Sequence, residues 1–207
     1  MAEWKIERYN DNIKRLKDIV GSEENIDLYL MEYNQYPGHK VTSEYISKKK
    51  IAVIDCDGVI SNGKSYYTKD GKLLKPYGCY DKEMMRLLTK YRWEFLFVSD
   101  DNNGIEITKR RINDIKPKTD SNIEFKQASA VERYQIVKEL KNTYDLVVFI
   151  GDSLSDIPSL VVADIQGCPK NAPNEVKEFS KFISDYEGGN GAVADILYTI
   201  HRFNGEI

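Results

Sequence analysis

Cysteine and histidine are scarce in this chain, and so are long apolar runs and any excess of positive charge. The three cysteines, Cys56, Cys79 and Cys168, form no CxxC pair and are odd in number. That argues against a disulfide framework and for a reducing, cytoplasmic setting. The two histidines, His39 and His201, fall in no ligand-like pattern and are expected at the surface or in packing. No stretch approaches the roughly 20 apolar residues of a membrane span, and Met1–Lys5 does not open a secretory signal. A net charge of −3 gives no general electrostatic footprint for nucleic acid. Internal repeats and low-complexity segments are likewise missing.

With 207 residues, 41% hydrophobic and 30% charged, the composition is that of a globular chain with room for one substantial core. Residues 1–48 stand apart. Tyr9, Ile13, Leu16 and Val20 recur at helical spacing before Gly21, and a second apolar segment, Ile26 to Tyr33, ends ahead of Pro37-Gly38. This reads as a helical N-terminal extension, joined by the basic link Lys48-Lys49-Lys50 to a domain over 49–207. It suits an arm that packs on the core or on a sister subunit, or else a separate binding module.

From Ile51 onward, strand-like runs alternate with helix-like segments. The runs are 51–54, 94–98, 122–125, 146–150 and, more weakly, 164–167; the helices are expected over 80–91, 103–115, 128–141, 154–162 and 191–203. Such alternation predicts an α/β fold: a three-layer, Rossmann-like parallel sheet with helices on both faces. One exception follows the first strand. Turn signals at Ser61-Asn62-Gly63 and Lys69-Asp70-Gly71 bracket Tyr66-Tyr67-Thr68 and Leu73-Leu74, which predicts a β-hairpin flap.

Chemistry is concentrated at strand ends. The run Ile51–Ile54 stops abruptly at Asp55-Cys56-Asp57-Gly58, and ligand sites of α/β sheets gather beyond strand carboxyl ends. Two carboxylates one residue apart repel each other unless a cation or shared proton intervenes. A second unit, Leu146–Ile150 followed by Gly151-Asp152 and then Asp156, delivers more acid to the same edge. Oxygen-rich ligation without histidine favours a hard cation, and Mg²⁺ suits a site that also takes phosphate. Ser99, after the strand ending at Val98, and Arg133, early in a helix, complete a candidate phosphate cradle. Cys56, between the acids, is expected to be a buried small hydrophobe, and Trp93 to sit at the core edge.

In this order, DxDG, strand-Ser, Lys/Arg and GDxxxD, the motifs over 51–200 resemble those of the haloacid dehalogenase (HAD) superfamily of phosphotransferases. The resemblance implies that Asp55 is a nucleophile forming an aspartyl-phosphate and Asp57 the general acid and base. It implies Mg²⁺ held by Asp55, the main-chain carbonyl of Asp57 and Asp152. Asp156 would then be a water-mediated ligand or an orienting group, with Ser99 and Arg133 on the phosphoryl group. The intervals Asp57–Ser99 and Ser99–Arg133 leave no room for a cap domain.

The hairpin 66–75 with Asp81, and Gly188-Gly189-Asn190-Gly191-Ala192-Val193, are similar to segments of the 3-deoxy-D-manno-octulosonate 8-phosphate phosphatase group and of phosphatase domains attached to sialic-acid activating enzymes. That likeness implies a phosphorylated sugar acid as small-molecule substrate, and a homo-oligomer, a tetramer by preference. Tyr66, Tyr67, Asp81, Gly188, Gly189 and Gly191 would then be substrate or subunit contacts. Basic residues of the group are replaced here by Ser99-Asp100-Asp101, Tyr80 and Ala194-Asp195, which separates the phosphatase core from the substrate's name. The competing expectations are a phosphatase for nucleic-acid 3′ ends, against which the acidic balance argues, and a non-catalytic assembly module.

Overall fold

Val- and Ile-rich runs that must bury both faces form a six-stranded parallel sheet at the centre of the molecule. The computed structural model describes residues 41–116 and 122–203; the helices expected before residue 41, and His39, lie outside them. In chain order the elements are α1 (Ser43–Ser47), β1 (Lys50–Asp55), β2 (Tyr66–Thr68), β3 (Gly71–Leu74), α2 (Tyr80–Thr89), β4 (Trp93–Ser99), α3 (Ile105–Ile115), β5 (Ile123–Gln127), α4 (Ala130–Leu140), β6 (Leu146–Ile150), α5 (Ile157–Val162), β7 (Ile165–Cys168), α6 (Asn174–Lys177), β8 (Phe182–Ile183) and α7 (Ala192–Arg202).

The sheet order is β5-β4-β1-β6-β7-β8, and β2 and β3 form a separate antiparallel hairpin. The first strand is central, flanked by β4 (Asp55 beside Val98) and β6 (Ile54 beside Ile150), so three strand ends converge at one edge. Ile51 and Val53 point to one face, where they cluster with Val147, Phe149, Ile136 and Val137 of α4 and Leu160 of α5. On the other face α7 packs against α2, and its Ile196 lies over Gly167 and Ile150. Helices thus cover both faces, as the alternation requires, and no cap domain interrupts the described residues.

The hairpin stands where the turn signals place it, with Gly71 at φ +127°. Three short elements went unread, α1, α6 and the two-residue edge strand β8; all are too brief to show periodicity. The segment expected as one helix over 154–162 is a 3₁₀ turn, Leu154–Asp156, running into α5. By its contacts the sheet-bearing unit begins at Ser43. Tyr45 of α1 is buried, and its ring packs against His201 of α7. Lys50, also buried, closes the end of α1 by donating to the carbonyls of Tyr45 (2.8 Å) and Lys48 (2.6 Å). Trp93 is wholly buried rather than at the core edge, because β4 is covered on both faces. Among the described residues no helix is long and apolar enough to cross a membrane.

Candidate active site

Four acids, a serine and an arginine meet beyond the carboxyl ends of β1, β4 and β6. Asp55 is the last residue of β1, and the chain then turns sharply through Cys56–Ile60. Gly58 at φ +97° permits that turn, and a Cβ there would fall 2.0 Å from Asp152 Oδ2. Cys56 is buried, as expected of the residue between the acids. Asp55 Oδ2 accepts from the main-chain N–H of Asp57 at 3.1 Å, and its Oδ1 accepts from Arg133 Nη1 at 2.6 Å.

Arg133 reaches this point from the first turn of α4, whose start is fixed by a capping box between Ser129 and Glu132. The same Nη1 lies 3.1 Å from Asp156 Oδ1, and Nη2 donates to Ser155 Oγ at 3.0 Å. Asp156 spends its other oxygen on its own loop, accepting from the N–H groups of Asp152 and Ser153 and from Ser153 Oγ. Asp55, Asp152 and Asp156 each offer a carboxylate oxygen within 4.8 Å of the others.

Crowding these acids in a dry site makes their charge costly. Burial, then the charge of Asp156, pushes the Asp55 carboxyl well above its usual range, with the Arg133 guanidinium opposing. Burial and Asp156 likewise push Asp152 up to about 7. Among the described residues the buried Asp152 Oδ1 has no hydrogen-bond partner, and Asp156 Oδ1 has only the Arg133 guanidinium. An acid cluster with an oxygen left over is the donor set that a hard divalent cation completes.

Asp57 faces a more open space, with its side chain 34% exposed. Its Oδ2 accepts from Ser99 Oγ at 3.0 Å, and its Oδ1 pairs with Lys75 Nζ at 2.7 Å. Lys75 is the residue that the sequence reading missed. It follows the last strand of the hairpin, and no periodicity marks a lone lysine before a proline. Asp101 binds Lys72 and Lys75, and against the effect of burial these two hold its carboxyl at about 2. Asp100 is exposed beside it.

The remaining expected contacts divide. Tyr66 and Tyr67 are 52% and 64% exposed on the hairpin, free to meet a substrate or another molecule. Asp81 is not: it is buried, its carboxyl is pushed up to about 6 by burial, and Oδ1 accepts from Ala194 N at 2.9 Å at the start of α7. Its carboxylate holds a helix end. Gly188 and Gly189 seat the glycine segment directly on the loop after Asp57; a Cβ on Gly188 would stand 1.7 Å from Gly58 O. Gly191 lies in the left-handed region beside Tyr80 and opens α7.

No protein-family profile matches the chain. An N-acylneuraminate cytidylyltransferase B from Danio rerio is 24% identical over 139 residues, which cover 67% of this chain and 32% of that enzyme. The chain therefore spans about a third of the length of that relative. A 3-deoxy-D-manno-octulosonate 8-phosphate phosphatase from Haemophilus influenzae is 23% identical over 157 residues, covering 76% of this chain and 85% of that one. The cobalt-bound structure of the Haemophilus influenzae phosphatase superposes with a TM-score of 0.66 at 22% identity, over 78% of this chain and 92% of that one. The Moraxella catarrhalis phosphatase, solved with magnesium, phosphate and the octulosonate sugar acid, gives 0.63 at 21% identity, over 78% and 93%. The chain has the fold of the HAD phosphatases and, among them, resembles the 3-deoxy-D-manno-octulosonate 8-phosphate phosphatases.

Proposed function

We propose that this chain is a Mg²⁺-dependent phosphomonoesterase that works through an aspartyl-phosphate on Asp55, with a phosphorylated sugar acid as its substrate class. The observation that carries this reading is the pairing of two unlike carboxylates at one strand end. Asp55 is buried among Arg133, Asp152 and Asp156, while Asp57 is half-open and faces where a leaving group would sit.

Asp55, Asp152 and the carbonyl of Asp57 would hold Mg²⁺, with Asp156 orienting Asp152 and its loop. The ion supplies charge neutralisation for a carboxylate that attacks a phosphate dianion. In the first half-reaction an Asp55 oxygen forms the new bond to phosphorus. The phosphorus–oxygen bond to the alcohol breaks with its electron pair going to the alcohol oxygen, which takes the Asp57 proton. In the second, Asp57 removes a proton from water as that water attacks phosphorus, releasing inorganic phosphate and restoring the Asp55 carboxylate. Arg133 and Ser99 hold the phosphoryl oxygens throughout.

The substrate class rests on the octulosonate and acylneuraminate relatives and on the likeness of the hairpin and glycine segment. A site without a cap among the described residues is open, and the exposed Tyr66 and Tyr67 suit a hairpin that meets a sister subunit in a homotetramer. Phosphate release from sugar-acid phosphates, plain sugar phosphates and 3′-phosphorylated oligonucleotides tests the reading, with Mg²⁺ and with EDTA. Turnover that needs Mg²⁺, prefers the sugar acids and is lost in Asp55→Asn is expected. Preference for the oligonucleotides overturns the substrate class, and an inert wild type overturns the enzyme.

A further inference from the structure

Lys75 has no exposed side-chain surface, and its ammonium carries three donors that meet three acceptors: Asp57 Oδ1 at 2.7 Å, Asp101 Oδ2 at 2.6 Å and Thr108 Oγ1 at 3.0 Å. No donor is left for a substrate. Lys75 is therefore not a phosphate-binding lysine, although it stands beside the phosphate cradle. Burial works against its charge, and Asp101 and Asp57 outweigh burial and keep it an ammonium.

Its surroundings anchor it from both sides. Lys75 follows β3 at the foot of the hairpin, where Tyr77 bridges to Ser61 and Asn62 N donates to Pro76 O at 3.4 Å. The stem of the hairpin is thus fastened to the loop that carries Asp57. From the other side, Asp101 lies just beyond β4, and its Oδ1 accepts from Gly104 N at 3.1 Å, ahead of α3. Thr108, on α3, is itself buried.

The Asp57 carboxylate has two side-chain anchors among the described residues, Lys75 on Oδ1 and Ser99 on Oδ2. In the reading proposed above, Ser99 turns to the phosphoryl group when substrate arrives, which leaves Lys75 holding Asp57. We infer that Lys75 is a positioning residue: it fixes the Asp57 carboxylate at the orientation from which a proton passes to the leaving oxygen, with Asp101 and Thr108 fixing Lys75 in turn. This inference rests on the phosphatase reading and adds to it a residue from the flap.

In the first half-reaction a positioning role for proton transfer matters only when the leaving group needs the proton, and kcat/KM reads that half-reaction apart from the hydrolysis in which Asp57 serves again as base. With the full chain and Mg²⁺, Lys75→Met is expected to lower kcat/KM on an alkyl phosphate by about 100-fold, while kcat/KM on p-nitrophenyl phosphate, whose phenolate leaves unprotonated, falls by less than about 3-fold. In the Asp57→Asn background the same substitution is expected to add no further loss on the alkyl ester. Circular dichroism checks that Lys75→Met is folded. If it is not, Lys75→Arg, which keeps the charge but splays its donors, is read by the same comparison and is expected to show the same selective loss. In a folded variant, an equal loss on both esters, no loss on either, or a full further loss in the Asp57→Asn background overturns the inference and leaves the phosphatase reading standing. A wild type inert on both esters overturns the two together.

Discussion

Arg133 Nη1 lies 2.6 Å from Asp55 Oδ1, with both side chains almost wholly buried and 78 positions apart in the chain. The same nitrogen is 3.1 Å from Asp156 Oδ1, so one guanidinium compensates two carboxylates that otherwise face each other in a dry site. Removing one member of a buried pair leaves an uncompensated charge. Arg133→Met is expected to cost on the order of 3 kcal/mol in urea unfolding with EDTA present. It should also lower phosphatase kcat by about 100-fold or more, as expected when a group that stabilises developing charge is lost. Unchanged stability in EDTA would show that the pair is not compensating these acids.

Mg²⁺ binding should appear as stability, because among the described residues the buried Asp152 Oδ1 has no hydrogen-bond partner and Asp156 Oδ1 has only the Arg133 guanidinium. At a concentration about 100 times its dissociation constant, a bound ion adds about 2.7 kcal/mol, which for a chain of this size raises Tm by at least about 5 °C. Asp152→Asn should abolish that shift. The shift should also shrink as pH falls below 7, since the Asp152 carboxyl, held up at about 7, takes the proton that the ion must displace. Thermal melts at pH 8 and pH 6, with Mg²⁺ and with EDTA, check both; an equal shift in Asp152→Asn counts against Asp152 as a ligand.

Asp55, Asp57, Ser99, Arg133, Asp152 and Asp156 were legible in the sequence because each follows a periodic element that fixes where it points. A strand's carboxyl end or a helix's first turn can be read from the chain alone. Lys75 and Thr108 were not, because their meeting with Asp57 depends on how the hairpin folds back and how α3 lies, both set by long-range packing. The ion pairs of Asp101 are hidden for the same reason: its partners Lys72 and Lys75 lie on the flap. The partner that Asp81 has within the chain, the N–H of Ala194, is 113 positions away and equally out of reach of local patterns.

His201 should make the fold sensitive to acid. It is buried between the rings of Tyr45 and Tyr91, neither ring nitrogen has a hydrogen-bond partner among the described residues, and burial followed by the charge of Lys50 pushes its pKa down to about 4. Between pH 4 and the ordinary value near 6.5 the unfolded chain binds more protons at this site than the folded one. Its contribution is therefore fully present above about pH 6.5 and is lost as pH falls toward 4, by at most about 3 kcal/mol. His201→Phe, which needs no hydrogen bond, should match or exceed wild type at pH 7 and should lose less stability between pH 7 and pH 4.5. Urea midpoints of the two proteins across that range give the comparison, and parallel curves would show that His201 does not titrate on unfolding.

Gly188 has its side of the backbone closed by other main-chain atoms. A Cβ there would stand 1.7 Å from Gly58 O, 2.6 Å from Gly58 C and 3.1 Å from Ser61 O, all main-chain atoms that no rotamer change can move. Its own N–H donates to Asn171 Oδ1 at 2.9 Å, and the next N–H, of Gly189, donates to Val59 O at 2.9 Å. The glycine segment cannot back away without breaking those bonds, so the loop carrying Asp57 and Gly58 must shift instead. Gly188→Ala is expected to cost about 3 kcal/mol by overpacking and to lower kcat, since Gly58 also abuts Asp152. Gly71→Ala supplies the contrast. Gly71 stands at φ +127°, but an added Cβ meets nothing within 4 Å among the described residues, so the substitution should cost about 1 kcal/mol of backbone strain and leave kcat unchanged. If both variants lose activity equally, the glycine segment is not what sets the position of the acid loop.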